Sequence, residues 1–188
     1  MRVLFISGTN MLTATYSIIA LKIEQNRARW TFSSLQQYIL GGIRNLGSAS
    51  GMDFEPMLQR LSQFEQYCQQ RRIATFLIPT LRKITREADA VLDELDKLTE
   101  ASIALLRSLQ GKLQLALNQG AAVIEDLCAS LEQCCMNFYQ RLSREEELVK
   151  IAERVIPSEA WFGFAATALS QASRKAKIPS RQLEDDEV

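Results

Sequence analysis

Between Leu81 and Ile156, apolar residues recur at alternating steps of three and four, with charged residues between them. In the second half the series runs Leu113, Leu117, Gly120, Ile124, Leu127, Leu131, Cys134, Phe138. In the first it runs Ala88, Val91, Leu95, Leu98, then slips near Ile103 to Leu105 and Leu109. Positions three and four apart share one face of an α-helix, so this spacing draws an apolar stripe along a long rod. Such a stripe has to be buried against other helices. The seam is accordingly read as Leu95, Leu98, Leu105, Leu109, Leu113, Leu117, Ile124, Leu127, Leu131 and Phe138.

Unbroken, residues 81–156 would extend about 110 Å at a rise of 1.5 Å per residue. Uncapped helical patterns of that length belong to coiled coils or to pairs folded back on themselves. Asn118-Gln119-Gly120 is the favoured reversal, because Asn and Gly accept the left-handed conformation that ends helices. Gly111 is a second candidate break. Ala121-Ala122-Val123 offers no new capping residue, so a continuous helix stays open beside the preferred antiparallel hairpin. Glu87, Asp89, Asp93, Glu94 and Asp96 crowd the early turns of the rod, where the helix dipole favours negative charge.

Ahead of the rod, the reading is less regular. Val3–Ile6 is a short apolar run closed by Ser7-Gly8-Thr9-Asn10, a turn composition. Ser17–Ile23 is rich in β-branched residues, and Arg29–Phe32 alternates polar and apolar, which suggests short strands or a small hairpin. A packed helix and a membrane-inserted one are the rivals, since residues 3–21 carry no charge over a length near that of a bilayer span. Ser33 and Ser34 before Leu35-Gln36-Gln37 resemble a capping box for a helix reaching about Leu46. Gly47–Gly51 (GSASG) reads as a flexible boundary. Asp53 would cap a helix with Pro56 in its first turn. Phe54, Met57, Leu58, Leu61, Phe64 and Tyr67 form its apolar face, and Gln63, Gln66, Gln69 and Gln70 its polar one. Arg71-Arg72 leads into the apolar run Ile73–Ile78, and Pro79 is expected to kink or end the helix there.

After Pro157, Ser158 and Glu159 supply a cap, and Trp161, Phe164, Ala165, Ala168, Leu169 and Ala172 fall on one helical face. Arg174, Lys175 and Lys177 follow. That set reads either as a closing helix docked on the bundle or as a face for a membrane surface or partner groove. Residues 178–188 read as an acidic mobile tail. The expected domain order is 1–50 (short strands and one helix), 51–177 (helical bundle with the long hairpin) and the tail.

Charge and chemistry narrow the function. Formal net charge is zero, but residues 1–82 hold nine Lys/Arg against four Asp/Glu, a net +5, while residues 83–157 hold nine against thirteen, a net −4. A mixed solvated surface explains this, as does pairing of the head of one copy with the rod of another, which salt would weaken. Nucleic-acid binding is not expected, because the arginines of the head are opposed by the acidic rod. With no histidine, the commonest general base and metal ligand are missing. Cys68, Cys128, Cys134 and Cys135 lack zinc-ligand spacing and read as small hydrophobes in a reducing, cytoplasmic setting. Glu145-Glu146-Glu147 fans around a helix rather than converging on a metal.

The expected fold is mainly α: a helical bundle organised on a long antiparallel hairpin or coiled coil, with a possible small N-terminal β-hairpin. No catalytic residue, metal, cofactor or small-molecule substrate is inferred. The expected function is a non-enzymatic protein–protein interaction subunit (scaffold, adaptor, chaperone-like or assembly component) meeting a protein partner or a second copy of itself. A membrane-interacting helical protein, secreted or host-targeted, is the alternative. It would use residues 3–21 or the Trp161 face.

Overall fold

A computed structural model describes the backbone of residues 4–44, 54–116 and 121–161 and side chains within 14–44, 54–113 and 124–161. Among the described residues five α-helices follow one another: α1 (Leu4–Arg44), α2 (Phe54–Gln70), α3 (Ile78–Ile84), α4 (Asp89–Ala116) and α5 (Ala121–Val155). Among the described residues there is no strand. The protein is mainly α, as expected, but the N-terminal β-hairpin is replaced by one helix of 41 residues. The physical reason lies in the period of burial on α1. Leu21, Gln25, Ala28, Phe32, Leu35 and Ile39 are buried at steps of four, three, four, three and four, which is the period of a helix face. Tertiary packing on that face outweighs the strand preference of the β-branched residues. Ser33 and Ser34 lie inside this helix rather than at a cap.

By contacts, the chain divides into two units: residues 20–155, and residues 1–19 with 156–188. In the smaller unit, the Ala160 amide donates to the Pro157 carbonyl at 3.0 Å, closing a turn after Ile156. The larger unit is a four-helix bundle, and its side-chain pairs fix the directions. From α4 to α5, Lys112 meets Asp126 at 2.7 Å, Glu94 meets Arg144 at 2.8 Å, and Glu87 meets Arg154. As one number falls the other rises, so α4 and α5 run antiparallel. Between α1 and α2, Glu24 accepts from the Arg72 amide at 2.7 Å, Phe32 stacks on Phe64, and Tyr38 lies under Arg60. These two helices are antiparallel as well. Lys22–Glu153 at 2.5 Å and Arg29–Glu146 at 2.9 Å set α1 antiparallel to α5. Neighbours therefore alternate up and down around the bundle.

Two breaks shape the second strut of this bundle. After α2 the chain bends at Arg71, and Ile73–Leu77 forms a π turn in which the Ile78 amide reaches back five residues to the Ile73 carbonyl. Pro79 then sits in the first turn of α3. Its missing amide is harmless there, and the wide turn just upstream accommodates a ring that would press on the preceding turn of a regular helix. The irregularity thus falls several residues before the expected kink. Thr85, in an extended conformation, ends α3. Its hydroxyl accepts from the Glu87 amide at 3.1 Å, so the hairpin begins at Asp89 rather than Leu81. Gly111 lies within α4 and breaks nothing. Asn118-Gln119-Gly120, the GSASG boundary, Asp53 and the tail 178–188 lie outside the described residues.

Apolar burial occurs at two levels. One cluster gathers Phe32, Leu61, Phe64, Leu109, Leu127, Leu131 and Phe138 with Cys68, Cys134 and Cys135. Phe32, Phe64 and Phe138, from three helices, meet at centroid distances of 5.2–5.9 Å. Aromatic pairs at this range add to the burial of their area. The other buried set, toward the opposite end of the unit, includes Leu21, Ile73, Leu77, Leu81, Leu92, Leu95, Leu148 and Ala152. Between these two levels a set of polar and charged side chains is buried.

Candidate functional site

Five polar side chains occupy the intervening layer. Gln25 comes from α1, Glu65 from α2, Arg71 from the bend that follows it, and Arg141 and Glu145 from α5. Arg71 and Glu145 are 2% exposed in their side chains, and Arg71 Nη1 donates to Glu145 Oε2 at 2.7 Å. Arg141 Nη1 donates to both Glu65 oxygens, at 2.9 and 2.8 Å, and its Nε to Glu145 Oε1 at 3.3 Å. Gln25 accepts from Arg71 Nη2 and donates its own Nε2 to the Leu142 carbonyl at 2.6 Å. Two guanidiniums and two carboxylates thus balance, and an amide links the set to backbone. Arg71 Nε finds no hydrogen bond but faces the Glu24 carboxylate at 3.6 Å.

Burial alone would pull both arginine pKa values down, but Glu145 beside each, joined by Glu24 at Arg71 and Glu65 at Arg141, holds them above the ordinary value. Burial raises the pKa of Glu24, against the hydrogen bond from the Arg72 amide and the charge of Arg71. Both arginines stay charged, and the layer is an ion-pair network rather than an acid–base pair. No group of three or more His, Cys, Asp or Glu able to hold a metal occurs among the described residues. Glu146 and Glu147 turn outward to Arg29 and Arg144, so the acidic triplet fans apart as expected and only Glu145 enters the core.

None of the four cysteines is in a disulfide. Burial pushes Cys68 and Cys134 up to about 12 and Cys135 up to about 11. Cys128 is only partly buried. Since the thiolate is the reactive form, a disulfide reagent should label one thiol of the native protein quickly and all four only after unfolding. Rapid labelling of Cys68 or Cys134 in the folded chain, read by mass spectrometry, would contradict this packing.

The residues assigned to the seam differ in burial. Leu95, Leu109, Leu127, Leu131 and Phe138 are buried, and Leu98, Leu105 and Leu113 are partly so. Ile124 is 37% exposed, one turn before Leu127, the first buried position of α5 among the described residues. Leu117 lies outside the described residues. Leu92 and Leu106, each one position after an expected residue, are the ones that bury fully. Trp161 is 1% exposed, so it is not part of an open membrane or partner face. Phe164, Leu169, Arg174, Lys175 and Lys177 lie outside the described residues. No helix among the described residues is long and apolar enough to cross a membrane.

The surface holds what the sequence did not single out. On α1, Ile23 is 62% and Trp30 79% exposed. The two stand seven residues apart and point away from Leu21 and Ala28, each two positions earlier, so they share the face opposite the core. Beside this face, a cleft of about 380 Å³ opens between α1 and α2, lined by Thr31, Ser34, Leu35, Arg60, Phe64 and Tyr67, among others. The Arg60 guanidinium lies 4.3 Å over the Tyr38 ring. A shallower cleft of about 300 Å³ between α2 and α4 is lined by Gln66, Gln69 and Arg107, with Glu65 beneath. Set against family models, curated proteins and solved structures, the chain matches none of them.

Proposed function

We propose that the chain is a non-enzymatic protein–protein interaction subunit, a scaffold-like or adaptor-like assembly component of the cytoplasm that docks a partner helix on the outer face of α1. One observation carries the reading: Trp30, the largest side chain type, stands 79% exposed in the middle of a long helix, with Ile23 two turns before it. Leaving that area in water forgoes roughly 25 cal/mol per Å² of apolar surface. Tryptophan is also the residue most enriched where binding energy concentrates. The partner that fits is an amphipathic helix with its own apolar residues three and four apart, laid along α1 as in a coiled-coil pair. The opposite side of α1 is fastened by Phe32, Gln25 and the Arg29–Glu146 pair, so the docking face is held rigid before the partner arrives. Four unbonded thiols support a reducing compartment.

A photo-cross-linking residue placed at Asn26 or Gln37, exposed positions four before and seven after Trp30, tests this in the native source. The expected result is a discrete protein adduct that Trp30→Asp abolishes, with none from the same residue at Lys97 on α4. An adduct pattern indifferent to Trp30→Asp would refute the assignment of this face.

A further inference from the structure

The cleft between α1 and α2 has a property the Trp30 face lacks: a cation fixed in place without an anion. Arg60 is exposed and stacked on Tyr38, and among the described residues it has no carboxylate partner. Stacking on an aromatic ring holds a guanidinium in a defined plane, which leaves its outward N–H groups free to meet a carboxylate with little loss of freedom. The cleft floor beside it, Leu35 and Phe64, is apolar. Its occupant therefore presents an acid and apolar side chains on one narrow edge.

The chain carries that edge itself, on the outside of α5. Glu125, Ala129, Glu132, Met136 and Tyr139 are all exposed at steps of four, three, four and three, so they form one stripe. Met136 is 51% and Tyr139 57% exposed. Neither Glu125 nor Glu132 has a basic partner among the described residues. The sign matches at larger scale too: residues 1–82, which include α1 and α2, carry +5, and residues 83–157, which include α5, carry −4.

We infer that the α1–α2 cleft receives the outer stripe of α5 from a second copy of the chain, with Glu132 paired to Arg60 and Met136 and Tyr139 against Leu35 and Phe64. Each copy offers one cleft and one stripe, so a two-fold axis satisfies both contacts at once and closes the assembly as a dimer. The inference rests on the reading of the chain as an assembly subunit, but it uses a surface other than Trp30. A failed dimer leaves the Trp30 cross-links intact, and Trp30→Asp leaves the dimer intact.

Charge reversal in the full-length chain tests it by sedimentation velocity over a concentration series. Wild type should show a concentration-dependent dimer that high salt weakens. Arg60→Glu and Glu132→Arg should each weaken association by about tenfold or more, with circular dichroism unchanged because both side chains are exposed. Mixing the two single variants should restore the dimer, since each contact then regains opposite charges, and Arg60→Glu with Glu132→Arg in one chain should do the same. A wild type that stays monomeric, an Arg60→Glu variant that dimerises like wild type, a mixture of folded monomers that fails to pair, or growth beyond the dimer would each overturn the proposal.

Discussion

Replacing Glu145 with Ala should cost the larger unit about 3–5 kcal/mol of stability, the range for removing one partner from a buried ion pair. The loss is large because Glu145 answers two guanidiniums at once, Arg71 at 2.7 Å and Arg141 at 3.3 Å. Without it, Arg141 keeps Glu65, but Arg71 is left with Gln25 and a carboxylate at 3.6 Å. Urea denaturation followed by circular dichroism reads the change, and a loss below about 1 kcal/mol, the level of exposed ion pairs, would show the network to be wet. Removing all four charges together has the opposite expectation. Taking two cations and two anions out of water costs about as much as their attraction returns, so replacing Arg71, Arg141, Glu65 and Glu145 jointly with Met or Leu should leave stability equal or higher. What the joint variant should lose is uniqueness. A polar layer punishes any slide of α5 against α2 by leaving a buried charge unpaired, whereas an apolar one tolerates it. Amide spectra of that variant should show more than one set of resonances for α5. A single sharp set would mean that the layer does not fix register.

Leu131→Asp should unfold the larger unit at neutral pH. Leu131 is fully buried in the apolar cluster with Phe138 and Leu127. A carboxylate there either ionises without a partner or takes up a proton, and each route costs several kcal/mol, comparable to the roughly 5–15 kcal/mol that holds a whole domain together. Leu131→Ala separates the two contributions, since a cavity alone costs about 2–5 kcal/mol. The Ala variant should fold with a lowered midpoint, while the Asp variant should show no cooperative transition. A cooperatively folded Asp variant would place Leu131 outside the core.

Much of the hairpin was legible in the amino-acid order because its core positions hold Leu and Phe and its outer ones hold charge. On α4, Val91 stands beside Leu92 and Leu105 beside Leu106, so apolar character alone did not choose between neighbours. Burial follows Ala88, Leu92, Leu95, Ser102, Leu106 and Leu109 without a slip, and the polar Ser102 hid that register. α1 was not legible, for a reason that bears on function. Two of its buried positions are Gln25 and Ala28, while Ile23 and Trp30 face out. A helix whose polar residue points inward and whose aromatic points outward gives no clean amphipathic signal. The ionic layer was hidden differently. Arg71 sits beside Arg72 and Glu145 beside Glu146 and Glu147, and runs of like charge read as solvated surface. Which member turns inward depends on helices 46 and 74 residues away along the chain, which local spacing does not encode. Exposed Trp30 was visible as a residue, but its outward direction required the period of α1.

The order in which the ribosome delivers these side chains matters for unfinished copies. Glu65 and Arg71 emerge early, while Arg141 and Glu145 are translated 76 and 74 residues after their respective partners. A message truncated before those codons yields a product in which Glu65 lacks Arg141 and Arg71 keeps only Gln25 and the more distant Glu24. Only a chain that extends through Glu145 carries every member of that middle layer.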